Sequence, residues 1–423
     1  MSSSRYIDKI DSYIPALDGV RGWAIILVLF VHTFGVFPRS DLSVVENFVK
    51  QLSGYGRLGV DLFFVLSGFL ITGILLNSRN KPRYFLNFYA KRTLRIFPLY
   101  YIYLSCVFFI TPLFVDYFNS QLPTNAYLIY YLYMQNFLIL PEGGGLPEFL
   151  LGVMWSLAIE EHFYLIWPAA VYFSTSRRTV RNSKCFRVFD KVSCYEKAPY
   201  RFIIMIVFFT VAALCIRTYI FHFTHIRSYW AFSWTICRID SILVGSLLAV
   251  CLRTSFRTLL EEWRNVIFCV FFTLTIMTMF MDHYLVGYKA LPATNSLGYT
   301  IYALFFASII NVICFVQTNN WFVAVFDNKL MRLYGKHSYA IYVIHTVVNA
   351  LVWSYIFEHR TSWGYFPVSI LFFLICVITS LLLSLVIWHC IEKHFLRLKT
   401  FFGRETIMVD KVAPQPVPVQ ADL

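Results

Sequence analysis

The sequence predicts an all-α integral membrane protein of about ten transmembrane helices, with an interfacial or re-entrant segment near residues 124–140. Three observations carry that prediction. Hydrophobic residues fill 58% of the 423 positions and charged residues only 14%, against about 25% charged in an average soluble chain. Apolar runs of bilayer-spanning length recur along the chain, whose mean hydropathy is +0.62. The basic residues cluster in the short loops between those runs. A soluble enzyme, a disordered chain and a disulfide scaffold are thereby excluded. A net charge of +13 would suit nucleic acid in a soluble protein, but cations in connecting loops orient helices, so no nucleic-acid partner is expected.

Residues 1–13 are polar and run into a long apolar stretch without a small-residue cleavage site, so a cytoplasmic N-terminal segment and no removed signal peptide are expected. Apolar length places spans at 20–38, 57–77, 96–116, 153–173, 202–222, 233–252, 265–282, 297–316, 335–357 and 366–390. Residues 124–140 (TNAYLIYYLYMQNFLIL) tempt an eleventh assignment but are short and bracketed by Pro123 and Pro141. Charge decides the matter. If that stretch does not span, 28 of the 36 Lys and Arg residues face the side of the N-terminus and six the opposite side, with Arg217 and Arg238 left within spans. That asymmetry predicts cytoplasmic termini in a multi-pass plasma-membrane protein. Residues 124–140 then sit where protein or a wet cavity surrounds them. The membrane domain is expected over 14–398, and the proline-rich 399–423 as a disordered cytoplasmic tail.

Eight of the ten cysteines lie in apolar runs and Cys185 and Cys194 in a basic loop, with no CxxC spacing, so neither a disulfide framework nor a metal site is indicated. Internal repeats are absent at any useful period, which disfavours transporter folds built from inverted halves.

Chemistry must come from the few polar groups in or beside the spans, since these are costly in hydrocarbon and face an interior or a cavity. In the first helix, eleven steps of 100° return Arg21 and His32 to one face, about 16 Å apart along the axis. A ligand lying along that face would touch both. Asp18 reads as the N-cap, which puts Arg21 in the first turn, where the helix dipole disfavours a cation and calls for an anion. Asp18 itself is one such anion, and positive-inside anchoring is the plain alternative role for Arg21. His32 is either a histidine bonded within the core or a general base suited to neutral pH.

Arg92 and Arg95, three apart at a helix boundary before Pro98, suit a phosphate ester or, equally, anionic lipid head groups. In the WSLAIEEHFYLIWP stretch, Glu160 and Glu161 point about 100° apart and need different partners, either structural, such as Arg238, or catalytic. Arg238 and Asp240 read as a buried charge pair fixing packing. In GVDLFFVLSGFL, Gly59, Ser67 and Gly68 read as close-packing residues and leave Asp61 unexplained. Ser338, Tyr342 and His345 share one stripe in a segment that also carries Tyr339.

Taken in order, LDGVRG with ten residues from Arg21 to His32, GVDLFFVLSGFLIT, the Arg92/Arg95 pair before Pro98, WSLAIEEHFYLIWP, RIDSILVGSLLA and GKHSYAIYVIH resemble the acyltransferase 3 family of integral-membrane O-acyltransferases, over about 14–398. The resemblance implies a ten-helix fold that takes an acyl group, often acetyl, from cytoplasmic acyl-coenzyme A. It delivers that group to a hydroxyl, frequently on a cell-envelope or exported glycan. It implies His32 as base and Arg21, Arg92 and Arg95 in donor handling. Glu160 and Glu161 are further catalytic candidates from the residues themselves, and Asp18, Asp61, Arg238, Asp240, Tyr339 and His345 are the other candidate site residues. Membrane lipids are the remaining expected partner. A transporter of an anionic solute would use the same buried arginines, and a non-catalytic scaffold would not need them.

Overall fold

The structure is a computed structural model that describes residues 13–35, 42–115, 122–123, 125–138, 145–175, 197–223, 232–284, 292–316, 320–354 and 365–402. Its helices in chain order are α1 (Pro15–Phe34), α2 (Val44–Gly54), α3 (Leu58–Ser78), α4 (Tyr84–Ser105), α5 (Ala126–Tyr131), α6 (Gly145–Leu151), α7 (Trp155–Ser174), α8 (Lys197–Phe223), α9 (Thr235–Cys251), α10 (Phe256–Glu262), α11 (Arg264–Tyr284), α12 (Pro292–Phe315), α13 (Trp321–Phe326), α14 (Lys329–Val352), α15 (Tyr365–Ile387) and α16 (Lys393–Arg397). No strand occurs among the described residues.

Each of the ten expected spans falls on one long helix: α1, α3, α4, α7, α8, α9, α11, α12, α14 and α15. Eight are long and apolar enough to cross a bilayer on that basis alone, and α9 with α10, bent by 103° at their junction, would make a ninth. The tenth, α14, carries Lys329, Arg332, Lys336, His337, His345 and Asn349 and is not among them. Its polarity is tolerated because it packs against α1, α4 and α15, which bury His337, His345 and Asn349, while the exposed Lys329 and Lys336 lie in its first turns. The stretch around 124–140 does not span: α5 is six residues long, a 3₁₀ turn follows at Gln135–Phe137, and Tyr130, Gln135 and Asn136 are buried.

Helices α1 and α3 contribute to both main apolar cores. One core brings them together with α4, α7 and α14, the other with α9 and α12. Close approach is built in by glycine. A Cβ on Gly335 of α14 would strike the Asp18 carbonyl and one on Gly22 of α1 the Met331 carbonyl; Gly68 and Gly245 do the same for α3 and α9. By contrast α8, α11 and α15 leave most of their surface exposed, as lipid-facing helices do.

Two local expectations are corrected. Helix α1 starts at Pro15, with Ile14 as N-cap, because proline pre-sets the first helical φ and supplies no amide that would need capping. Asp18 is therefore an acid within the first turns and not the cap. Pro98 does not open a span but lies inside α4, which runs on from Tyr84. Residues 398–401 form a 3₁₀ turn packed on α4; 403–423 lie outside the described residues, as do 1–12, Cys185 and Cys194.

Candidate active site

Two adjoining cavities run along α1. The first, about 100 Å³, is lined by Arg21 of α1, Ser67 of α3, Arg92 and Arg95 of α4, Glu160 and Tyr164 of α7, and Tyr339 of α14, among others. The second, about 460 Å³, is lined by His32, Arg57, Glu148, Phe149, Trp155 and Phe232. Val60 and Tyr342 line both. The expectation that one ligand-facing surface holds Arg21 and His32 is thus modified: same helix, same side, but consecutive chambers, because α3 and α14 close in between them.

In the first cavity Glu160 accepts hydrogen bonds from Ser67 Oγ (2.8 Å, at Oε1) and Tyr164 hydroxyl (3.0 Å, at Oε2). Both carboxylate oxygens are taken by hydroxyls. The arginines are therefore not neutralised by a direct bridge. Among the described residues neither Arg92 nor Arg95 has a carboxylate within ion-pair distance; Arg92 lies over the Tyr164 ring at 5.3 Å, and Arg21 stands 3.4 Å from Asp18. Three guanidinium groups beside one hydroxyl-bound carboxylate have the charge and fork geometry that suit an anion with several oxygens. Tyr339 donates to the Ile96 carbonyl at 2.6 Å, tying α14 to α4 at this cavity.

In the second cavity the Val28 carbonyl, 2.8 Å from His32 Nδ1, holds a proton on that nitrogen and leaves Nε2 as the basic atom. The His345 ring is edge-on at 4.9 Å, and its Nδ1 bonds the Tyr342 carbonyl at 2.7 Å, so its buried Nε2 is likewise an acceptor, with no partner among the described residues. Asn349 donates to the His32 carbonyl at 3.2 Å. Tyr342 donates to the Val153 carbonyl at 2.8 Å and meets Ser156 Oγ at 2.5 Å. Its hydroxyl is fixed at the wall between the chambers.

Other expected residues are placed elsewhere. Glu161, adjacent to Glu160, points away, as the 100° step requires; it lines neither cavity, and its buried Oε1 has no partner among the described residues. Arg238 and Asp240 do not pair with each other. Arg238 bridges to Asp61 at 2.8 Å and stacks over the Tyr299 ring at 3.9 Å, whereas Asp240 takes a two-pronged bridge from Arg217, 2.9 Å on each oxygen. Residues two apart on a helix diverge by about 200°, so one reaches α3 and the other α8. Asp61 is thereby explained. Ser67, read as a packing residue, is a cavity hydroxyl. Ser67, Ser156, Tyr164, Arg57 and Glu148 were not singled out for the site; only Tyr164, four residues after Glu160, left a legible signal. Among the described residues no three His, Cys, Asp or Glu side chains group as metal ligands.

Comparison of the sequence with known proteins identifies a family. The chain is 26% identical over 400 residues to the O-acetyltransferase OatA of Staphylococcus aureus, covering 90% of this chain and 57% of that protein. It is 34% identical over 175 residues to the peptidoglycan O-acetyltransferase OatA of Listeria monocytogenes, 40% of this chain and 25% of the relative. A putative peptidoglycan O-acetyltransferase of Bacillus subtilis, YrhL, matches at 34% over 169 residues, 37% of this chain and 23% of that one. The chain thus spans at most about half the length of these curated relatives. No solved structure matches. The model of the acyltransferase domain family matches residues 14–389, so nearly the whole membrane bundle, with both cavities inside it, belongs to that family.

Proposed function

We propose that this chain moves an acyl group, acetyl in the first instance, from cytoplasmic acyl-coenzyme A to a hydroxyl of a cell-envelope or exported glycan, with the Arg21 end of the bundle facing the cytosol. The observation that carries the reading is the shared wall: a guanidinium-lined chamber and an imidazole-lined chamber meet at Val60 and Tyr342. Phosphates of the donor sit on Arg21, Arg92 and Arg95, and the pantetheine arm carries the thioester past Tyr342 toward His32. The acceptor enters the larger chamber, where Phe149, Trp155 and Phe232 offer apolar faces to a sugar ring.

In the transfer step the acceptor oxygen attacks the thioester carbonyl while His32 Nε2 takes its proton. The C–S bond then breaks, and the thiolate leaves with the proton returned by the imidazolium. The Nδ1–H bond to Val28 holds the tautomer this requires. Tyr342, the one polar side chain common to both chambers, donates its hydroxyl proton to the Val153 carbonyl and forms the fixed wall past which the thioester reaches the acceptor. His345, beside His32, holds the ring edge-on, while Glu160 positions Ser67 and Tyr164 under the arginines.

The test is release of free thiol from acetyl-coenzyme A by the purified protein in detergent, with and without peptidoglycan fragments, the acceptor class named for two of its relatives. Acceptor-dependent release lost in His32→Ala is the expected result. Net flux of an anionic solute without acyl-donor consumption would overturn the proposal in favour of transport. Labelling with donor alone separates direct transfer, which leaves the protein unlabelled, from an acyl-imidazole route.

A further inference from the structure

The last helical run, Phe366–Phe401, is 36 residues long, whereas about 20 cross a bilayer core. Its final turns carry Lys393, His394, Arg397 and Lys399 past the apolar stretch. These turns do not splay into solvent. Both α16 and the 3₁₀ turn Leu398–Phe401 pack against α4, the helix that carries Lys91, Arg92 and Arg95. The charges of Arg95, Arg92 and Lys91 all bear on the Lys399 ammonium, with Glu392 opposing them. Lys399 is only partly exposed, and among the described residues no carboxylate lies within ion-pair distance of it. Cations that merely anchored the helix to lipid head groups would gain nothing from folding back onto three other cations. Glu392 offsets only part of that charge, and the excess positive potential favours an added anion among these side chains.

We infer that the C-terminal turn bearing Lys399 completes the donor site by binding a second phosphate, the ribose 3′-phosphate of coenzyme A, beside the diphosphate held by Arg92 and Arg95. This rests on the acyl-coenzyme A reading above. The diphosphate occupies the paired forks lining the inner chamber, where bidentate geometry is available. The monoester, a compact dianion at the far end of the molecule from the thioester, meets the point charges of Lys399 and Lys91. The C-terminal segment then tells coenzyme A from donors that lack that phosphate.

The experiment is calorimetric binding of coenzyme A and of 3′-dephospho-coenzyme A to the full chain in non-ionic detergent, which requires no acceptor. Wild-type protein should prefer coenzyme A by about tenfold, the contribution of one charge-assisted phosphate contact. Lys399→Gln should abolish that preference by weakening coenzyme A alone, Lys399→Arg should keep it, and rising salt should shrink it. Equal weakening of both ligands by Lys399→Gln, or no change in either, would overturn the inference while leaving the donor reading intact. A Lys399 effect seen only when anionic lipid is added would assign the site to a lipid phosphate instead. If neither ligand binds wild-type protein, the acyl-coenzyme A reading itself fails, and this inference with it.

Discussion

Arg217 and Arg238 sit fully within the bundle, each on a carboxylate: Asp240 at 2.9 Å and Asp61 at 2.8 Å. Arg217 also donates to the Ser296 carbonyl at 2.9 Å and to Thr300 at 2.8 Å, and Thr300 in turn bonds Asp240. Arg21, Arg92 and Arg95 converge on a cavity whose one carboxylate, Glu160, is occupied by hydroxyls. The first group is charge-paired and lines neither of the two cavities. The second carries positive charge with space beside it. Charge in an apolar bundle is thus held in two ways, by pairing for structure and by leaving a partner's place open for function.

The sharpest way to break this comparison is Asp240→Ala. It strands the Arg217 guanidinium at zero exposure and should cost about 3–5 kcal/mol, read as a large drop in the melting midpoint in detergent or as failure to accumulate. His32→Ala comes next. Turnover of acyl donor should fall by about 10²–10⁴-fold, the usual contribution of a general base, with the melting midpoint nearly unchanged. A normal rate would remove His32 from the chemistry. Third, Arg92→Ala should weaken coenzyme A binding by about tenfold while changing stability by less than about 1 kcal/mol, since only the contact with the Tyr164 ring is lost from the fold. An equal loss of stability in Arg92→Ala and Asp240→Ala would erase the distinction. The smallest effect is expected from Arg92→Lys, which keeps the charge but loses the fork; a few-fold loss of donor affinity is expected, and none at all would mean that the site does not read phosphate geometry.

The two cavities were legible in part because some of their members sit in short, dense motifs: Arg92 and Arg95 three apart, Arg21 and His32 eleven apart, Glu160 and Tyr164 four apart. Helical periodicity alone orders such pairs on a face. Pairing across helices was not legible. Asp61 and Arg238 are 177 positions apart, and Ser67 and Glu160 are 93 apart. The nearest charges in the chain, Arg238 and Asp240, suggested a pair that the fold splits between α3 and α8.

The sequence by itself determined that ten long helices form, where they run and that few polar residues enter them, because hydrocarbon leaves backbone amides no partner but their own helix. Only the tertiary structure decided which carboxylate meets which arginine, that Glu160 and not Glu161 faces the chamber, and that Arg21 and His32 open into two rooms. Those outcomes depend on how closely neighbouring helices approach. Glycine contacts such as Gly335 against the Asp18 carbonyl set that distance between helices more than three hundred residues apart in the chain, which no local pattern records.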